Sequence, residues 1–144
     1  LHSSQILNNA GEGSGVQSVV LAREMSEREL EEVSKLAIET EVFVHGALCM
    51  SVSGQCSFSA LVGGRRANRG QCAQACRLPW RTPNGKNPCA LSLKDLSLTE
   101  HVLRLREMGV DSFKIEGRLK DVAYVKNVFI SCMGYDIRAL SSEA

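Results

Sequence analysis

Four cysteines, Cys49, Cys56, Cys72 and Cys76, stand in one stretch, CMSVSGQCSFSALVGGRRANRGQCAQAC, that contains no acidic residue. Thiols this close can hold the chain shut, hold a metal, or attack a substrate. Their spacing is C-x6-C-x15-C-x3-C. Four thiolates converging from two loops suit either tetrahedral zinc or an iron–sulfur cluster. Zinc ribbons pair their ligands as short knuckles, and only Cys72 and Cys76 fit that pattern, because the gap from Cys49 to Cys56 is wide. The irregular spacing favours a cluster, with zinc and plain buried thiols left open. A nucleophilic cysteine with His45 or His101 as base would leave the other three thiols unexplained.

Arg65, Arg66, Arg69, Arg77, Arg81 and Lys86 follow within the same region, and residues 65–86 carry no Asp or Glu. These cations can offset the negative charge of a four-thiolate site. They can equally hold a phosphate backbone or a small dicarboxylate. A solvated charged loop is the plain alternative.

The chain that must position these groups has 144 residues, enough for one domain with a sizeable core. Its 17 Lys and Arg nearly balance 16 Asp and Glu, so overall charge says nothing about partners. No run approaches the roughly 20 apolar residues of a membrane helix, so no membrane partner is expected. The first residues, Leu1-His2-Ser3-Ser4-Gln5, have neither a basic start nor an apolar core, so no signal peptide is expected. A cytoplasmic, reducing compartment is then the default, where clustered cysteines read as metal-binding or catalytic.

Val19-Val20-Leu21-Ala22 reads as a buried strand, ending at Arg23-Glu24. Ser26 and Glu29 form a capping-box pattern, and Leu30, Val33 and Ala37 continue it into an amphipathic helix over 26–38. Val42-Phe43-Val44 is the next strand, ending at His45-Gly46. After the cysteine region the rhythm returns, with a strand over 90–93 ending at Lys94. A helix capped by Thr99 follows, with Val102, Leu105 and Met108 inward and its end at Gly109. A strand over 112–115 leads to Glu116-Gly117-Arg118, then Asp121 caps a helix with Val122, Val125 and Phe129 inward. Alternating strands and helices imply parallel βαβ units in an α/β fold. Each strand ends in polar residues, as the chemistry-bearing strand ends of a barrel do. Arg23, His45, Lys94, Glu116 and Arg118 are therefore expected on one face. Residues 49–89, rich in cysteine and in the turn glycines Gly54, Gly63, Gly64, Gly70 and Gly85, interrupt this rhythm as a loop-rich insertion within one domain.

The run ETEVFVHGALCMSVSGQCSFS resembles the signature of the U32 peptidase family, with Glu41, Phe43, Gly46, Ala47, Cys49, Gly54, Cys56 and Ser59 in place. RRANRGQCAQACR, DSFKIEGRLKDVAYV and VVLARE are similar to further blocks of that family, so the resemblance spans roughly 16–128. It implies a TIM-like (β/α) barrel in a cytoplasmic bacterial protein, and either a collagenase-like peptidase or an RNA hydroxylation protein acting on tRNA or rRNA. It also implies a [4Fe–4S] cluster on Cys49, Cys56, Cys72 and Cys76, with Cys89 and Cys132 outside it. A small anionic co-substrate such as prephenate would accompany RNA hydroxylation. His45, Glu116 and Arg118 match family blocks and are the candidate catalytic residues, and Arg65, Arg66, Arg69 and Arg77 are candidates for the substrate. No Ser-His-Asp set or H-E-x-x-H helix supports the peptidase reading. A non-catalytic, metal-stabilised binding module would use the thiols alone.

Two departures from the family pattern stand out. Gly15-Val16-Gln17-Ser18 leaves no room for a helix before VVLARE, and VFISCMGYDIRALSSEA does not continue the family's amphipathic pattern. With the earlier barrel strands also lacking, a fragment, about half a barrel, is expected.

Overall fold

The computed structural model describes residues 15–81, 83, 85 and 89–140. Residues 1–14 and Lys86 lie outside the described residues. The chain divides into two compact units, one from 1–46 and 96–144, the other from 47–95.

The first unit is α/β. Its strands are β1 (Ser18–Val20), β2 (Glu39–Ala47), β3 (Asp95–Ser97), which begins at the unit boundary, and β4 (Ser112–Ile115). Its helices are α1 (Glu27–Ser34), α3 (Val102–Glu107) and α4 (Val122–Leu140); α2 (Phe58–Gly63) belongs to the second unit. β2 is the central strand. β1 and β4 both run parallel to it, with Val19 opposite Thr40 and Val42 opposite Phe113, and β3 also neighbours it. The parallel βαβ reading therefore holds for these three strands.

Burial alternates along β2. Thr40, Val42 and Val44 point into an apolar core with Leu21, Leu30, Val33, Leu105, Met108 and Val128. Thr40 is 1% exposed yet polar, and Asp111 answers it: the Thr40 N–H and Oγ1–H both donate to Asp111 Oδ2, at 2.7 and 3.1 Å. That carboxylate lets β2 extend well before the expected 42–44, because a buried hydroxyl without a partner is costly.

The helix ends follow their caps. The Ser26 N–H donates to Glu29 Oε2 at 2.8 Å and the Glu29 N–H returns to Ser26 Oγ, completing the expected box. α1 stops at Ser34 rather than 38, where Ser34 Oγ turns back onto the Leu30 carbonyl at 2.9 Å. α3 ends in paired bonds, Gly109 N–H to Arg106 O and Val110 N–H to Leu105 O, with Gly109 at φ 93°. This is the left-handed C′ glycine its position suggested. At its start Thr99 makes no side-chain cap, and a 3-10 turn over Thr99–His101 leads in instead. Asp121 caps α4 as expected, its Oδ1 accepting the Tyr124 N–H at 2.7 Å. The inward stripe of α4 is corrected: Val128 and Cys132 are buried, whereas Val122 and Phe129 are 83% and 55% exposed. The run from Val128, expected to break the amphipathic pattern, continues as helix to Leu140.

The strand expected over 90–93 is absent, which is a second correction. Residues 89–91 form a turn closed by Ser92 N–H to Cys89 O at 2.9 Å, and the Leu93 carbonyl accepts from the Arg77 guanidinium instead of a sheet ladder. The apolar run Ala90-Leu91-Ser92-Leu93 mimics a strand, but the pairing residues come later, in β3.

Candidate functional site

The non-core face of β2 carries Glu41, Phe43 and His45, all half-buried. Arg23, two residues past Leu21, lays its guanidinium over the Phe43 ring at 3.7 Å and donates to Glu116 Oε2 at 2.9 Å. Glu116 follows β4 and accepts from Arg118 through its other oxygen at 3.1 Å. Glu116 and Arg23 are 12% and 14% exposed, so this carboxylate sits between two cations with little water. Lys114 pairs with Glu41 on the same face. His45 Nδ1 lies 3.0 Å from the Tyr124 hydroxyl, the rings meeting edge to face at 72°. Gly46, at φ 133°, makes this convergence possible. A Cβ there would stand 2.4 Å from Glu116 Cβ, so only glycine lets the ends of β2 and β4 approach.

Arg23, Glu116 and Arg118 are therefore brought together, and His45, inside β2 rather than at its end, joins them through its carbonyl, which accepts the Glu116 N–H at 2.8 Å. Lys94 is not a strand end: it is exposed, precedes β3 and belongs to the other unit. Tyr124 was not singled out from the sequence. Its signal was its place in the first turn of a helix whose cap, Asp121, comes three residues after Arg118.

The second unit holds the thiol group. Cys49, Cys56, Cys72 and Cys76 are each half-buried, and no disulfide joins cysteines among the described residues. Burial pushes the Cys76 thiol up, the neighbouring Cys72 adds to it, Arg77 opposes it, and Cys49 raises it further. Cys72 and Cys49 thus lie near enough to act on Cys76. The Phe58 N–H points at Cys56 Sγ (3.4 Å) and the Gln74 N–H at Cys72 Sγ (3.3 Å). Ser59, 2% exposed, accepts from the Ala73 N–H at 3.1 Å and lies 3.9 Å from Cys72 Sγ. Backbone donors aimed at sulfur stabilise thiolate and tune an iron–sulfur centre. Among the described residues no three His, Cys, Asp or Glu side chains are gathered closely enough for a single metal ion. A cluster asks for a looser set, since each thiolate binds its own iron. In type and half-burial the four thiols suit such a group, and Cys56 and Cys72 also receive backbone donors. Cys89 is exposed beyond the set, and Cys132 is buried in the core of the first unit.

Few apolar side chains hold this unit. Phe58 and Trp80 meet at 5.2 Å, and Trp80 Nε1 donates to the Ala75 carbonyl at 2.8 Å. Arg77 supplies the principal tie. Its guanidinium donates to the carbonyls of Leu48 (3.3 Å) and Leu93, and pairs with Asp95 at 3.1 Å. This joins the entry and exit of the unit beside Cys49 and Cys76. Arg65, Arg66 and Arg69 are exposed instead. The two units also differ in charge. Residues 47–95 carry seven Lys and Arg against one acid, Asp95, while the remainder carries ten against fifteen. The near-neutral total conceals this division.

The peptidase family U32 profile matches residues 3–133. The chain belongs to peptidase family U32. Among its U32 relatives, the 23S rRNA 5-hydroxycytidine C2501 synthase of Escherichia coli strain K12 is 44% identical over 121 residues, covering 79% of this chain and 18% of the relative. The tRNA hydroxylation protein P1 of Bacillus subtilis strain 168 is 43% identical over 127 residues, covering 79% of this chain and 30% of the relative. A Porphyromonas gingivalis protein named collagenase is 39% identical over 97 residues, 63% of this chain and 27% of its own. The chain thus spans less than a third of each of these U32 proteins. No solved structure matches it. No helix among the described residues is long and apolar enough to cross a membrane.

Proposed function

We propose that this chain is part of a U32 RNA hydroxylation protein acting on tRNA or rRNA, with Cys49, Cys56, Cys72 and Cys76 holding a [4Fe–4S] cluster. The observation that carries the reading is the 44% identity to an rRNA hydroxycytidine synthase across 79% of the chain, a span that must include the central cysteines. β1, β2 and β4, parallel and in chain order, would be an arc of a larger TIM-like barrel. A bound cluster would supply one-electron chemistry. The Phe58 and Gln74 N–H groups would hold two of its thiolates in place and ease their charge. In the first unit, His45 and Tyr124 would share a proton between Nδ1 and the phenol oxygen, and Glu116 would fix Arg23 and Arg118. Arg118, more exposed than Arg23, would be the group available to a small anionic co-substrate such as prephenate.

The collagenase-named relative keeps proteolysis as the second reading. His45 Nδ1 faces a tyrosine hydroxyl rather than a serine or cysteine, which favours the first.

The test is anaerobic reconstitution of the full chain with iron and sulfide. About four irons and four sulfides per chain are expected, falling sharply in Cys72→Ser and Cys76→Ser and unchanged in Cys89→Ser. Wild-type protein that takes up zinc but no iron and sulfide would overturn the cluster.

A further inference from the structure

The second unit sorts its arginines into two kinds. Arg77 is committed to carbonyls and to Asp95, with its side chain 20% exposed. Arg65, Arg66 and Arg69 are exposed and stand in none of the ion pairs among the described residues. No acidic residue occurs anywhere from 42 to 94, so nothing nearby in sequence neutralises them. The only acid of this unit is Asp95, and Arg77 holds it.

These three side chains rise from a defined turn. Gly64 and Gly70, at φ 65° and 75°, bracket it. The Arg65 N–H is bonded to the Ser59 carbonyl (3.1 Å), and the Arg69 N–H and Gln71 N–H both donate to the Arg66 carbonyl, at 3.0 and 3.2 Å. Ser59 also joins this turn to the thiol group, through its hydroxyl contacts with Ala73 N and Cys72 Sγ. Just before the turn, Leu61 and Val62 are 84% and 51% exposed, an apolar step beside the cations.

We infer that Arg65, Arg66 and Arg69 form a ridge that binds the phosphate backbone of single-stranded or loop RNA, fixed to the cysteine loops through Ser59. This rests on the RNA reading above and adds where the strand would lie. Guanidinium groups match phosphate oxygens in pairs, and an acid-free surroundings keeps that attraction undiminished. Leu61 and Val62 offer contact to an unstacked base, while unpaired RNA leaves its bases free to make it. Arg77 belongs to the scaffold and not to the ridge.

The experiment measures binding of labelled oligouridine by the full chain over a range of salt. Three variants are compared with wild type: Arg65→Gln/Arg66→Gln/Arg69→Gln, Leu61→Ser, and Arg81→Gln/Lys94→Gln as exposed basic positions off the ridge. Three phosphate contacts on a single strand predict that the triple variant lowers the slope of log affinity against log salt by about 2 and weakens binding roughly tenfold or more. Leu61→Ser weakens binding with the slope unchanged, and Arg81→Gln/Lys94→Gln leaves most of the slope in place. Circular dichroism checks that the variants fold, as exposed, unpaired side chains lead one to expect. Equal loss of slope in the off-ridge variant, or none in the triple variant, overturns the ridge while wild-type RNA binding leaves the RNA reading standing. Wild-type protein that binds no RNA, alone or as part of the longer U32 chain, defeats that reading itself.

Discussion

The two units reach order by different means. The first packs Val33, Val44, Leu105 and Val128 beneath a parallel sheet, and its acids outnumber its bases. The second is strongly basic, its fully buried side chains among the described residues are the small Ser59 and Ala75, and a single arginine ties its two ends. Apolar burial stabilises in proportion to area. A segment with so little of it must draw on polar ties or on a bound centre, as small metal domains do. The comparison teaches that apolar packing orders the first unit, whereas the second rests on polar ties and has most to gain from a bound centre.

The largest expected separation comes from coring out the first unit. Leu105→Ala should cost about 2–5 kcal/mol, read as a lowered melting temperature of the main transition. It should leave thiol reactivity in residues 49–76 below that transition unchanged. A small loss there would mean that the first unit is not held by its apolar core.

Arg77→Gln probes the other side. It removes hydrogen bonds to the Leu48 and Leu93 carbonyls and the pair with Asp95, about 1.5–3 kcal/mol of local stability for charged donors. Limited proteolysis should then cut within 47–95 several times faster, with the first unit retained intact. Arg77→Lys should recover only part, since one ammonium cannot span the same carbonyls.

Tyr124→Phe is milder. Loss of the hydroxyl facing His45 Nδ1 should cost about 0.5–1.5 kcal/mol, and the His45 ring-nitrogen chemical shifts should move in NMR spectra. Unchanged shifts would mean that the Tyr124 hydroxyl does not hold the His45 ring.

The smallest effect is a pH slope. Burial raises the Cys132 thiol from its ordinary value of 9.0. The folded state therefore keeps this proton after the unfolded chain has released it. Stability from this group is complete below pH 9.0 and declines as pH climbs through 9.0 toward the raised folded value. Cys132→Ala should fall less steeply than wild type above that pH and match its slope below it.

Much of this arrangement could be read from residue patterns, and the failures have local causes. The capping box of α1, the glycine stop of α3 and the Asp121 cap of α4 announced these helices because each is short-range hydrogen-bond arithmetic. Glu116 was visible because an apolar run breaks into charge where β4 stops, whereas His45, expected to end its strand, lies inside β2, which continues to Ala47. The false strand over 90–93 arose because an apolar run carries no sign that Arg77, far earlier in the chain, will claim its carbonyl. The inward face of α4 was misjudged by taking Val122 and Phe129 for the stripe that Val128 and Cys132 fill. Tyr124 escaped notice since its partner His45 is 79 positions away. The charge division between units was hidden within a total of +1.

Hydrogen–deuterium exchange on the full chain, before and after anaerobic reconstitution with iron and sulfide, tests most directly whether the cysteine unit is ordered by a shared centre. The account predicts slower exchange throughout 47–95, strongest at the Phe58 and Gln74 amides that face cysteine sulfur, with β2 and α3 unchanged. Exchange in 47–95 that is identical in the two preparations, with iron and sulfide bound, would contradict it.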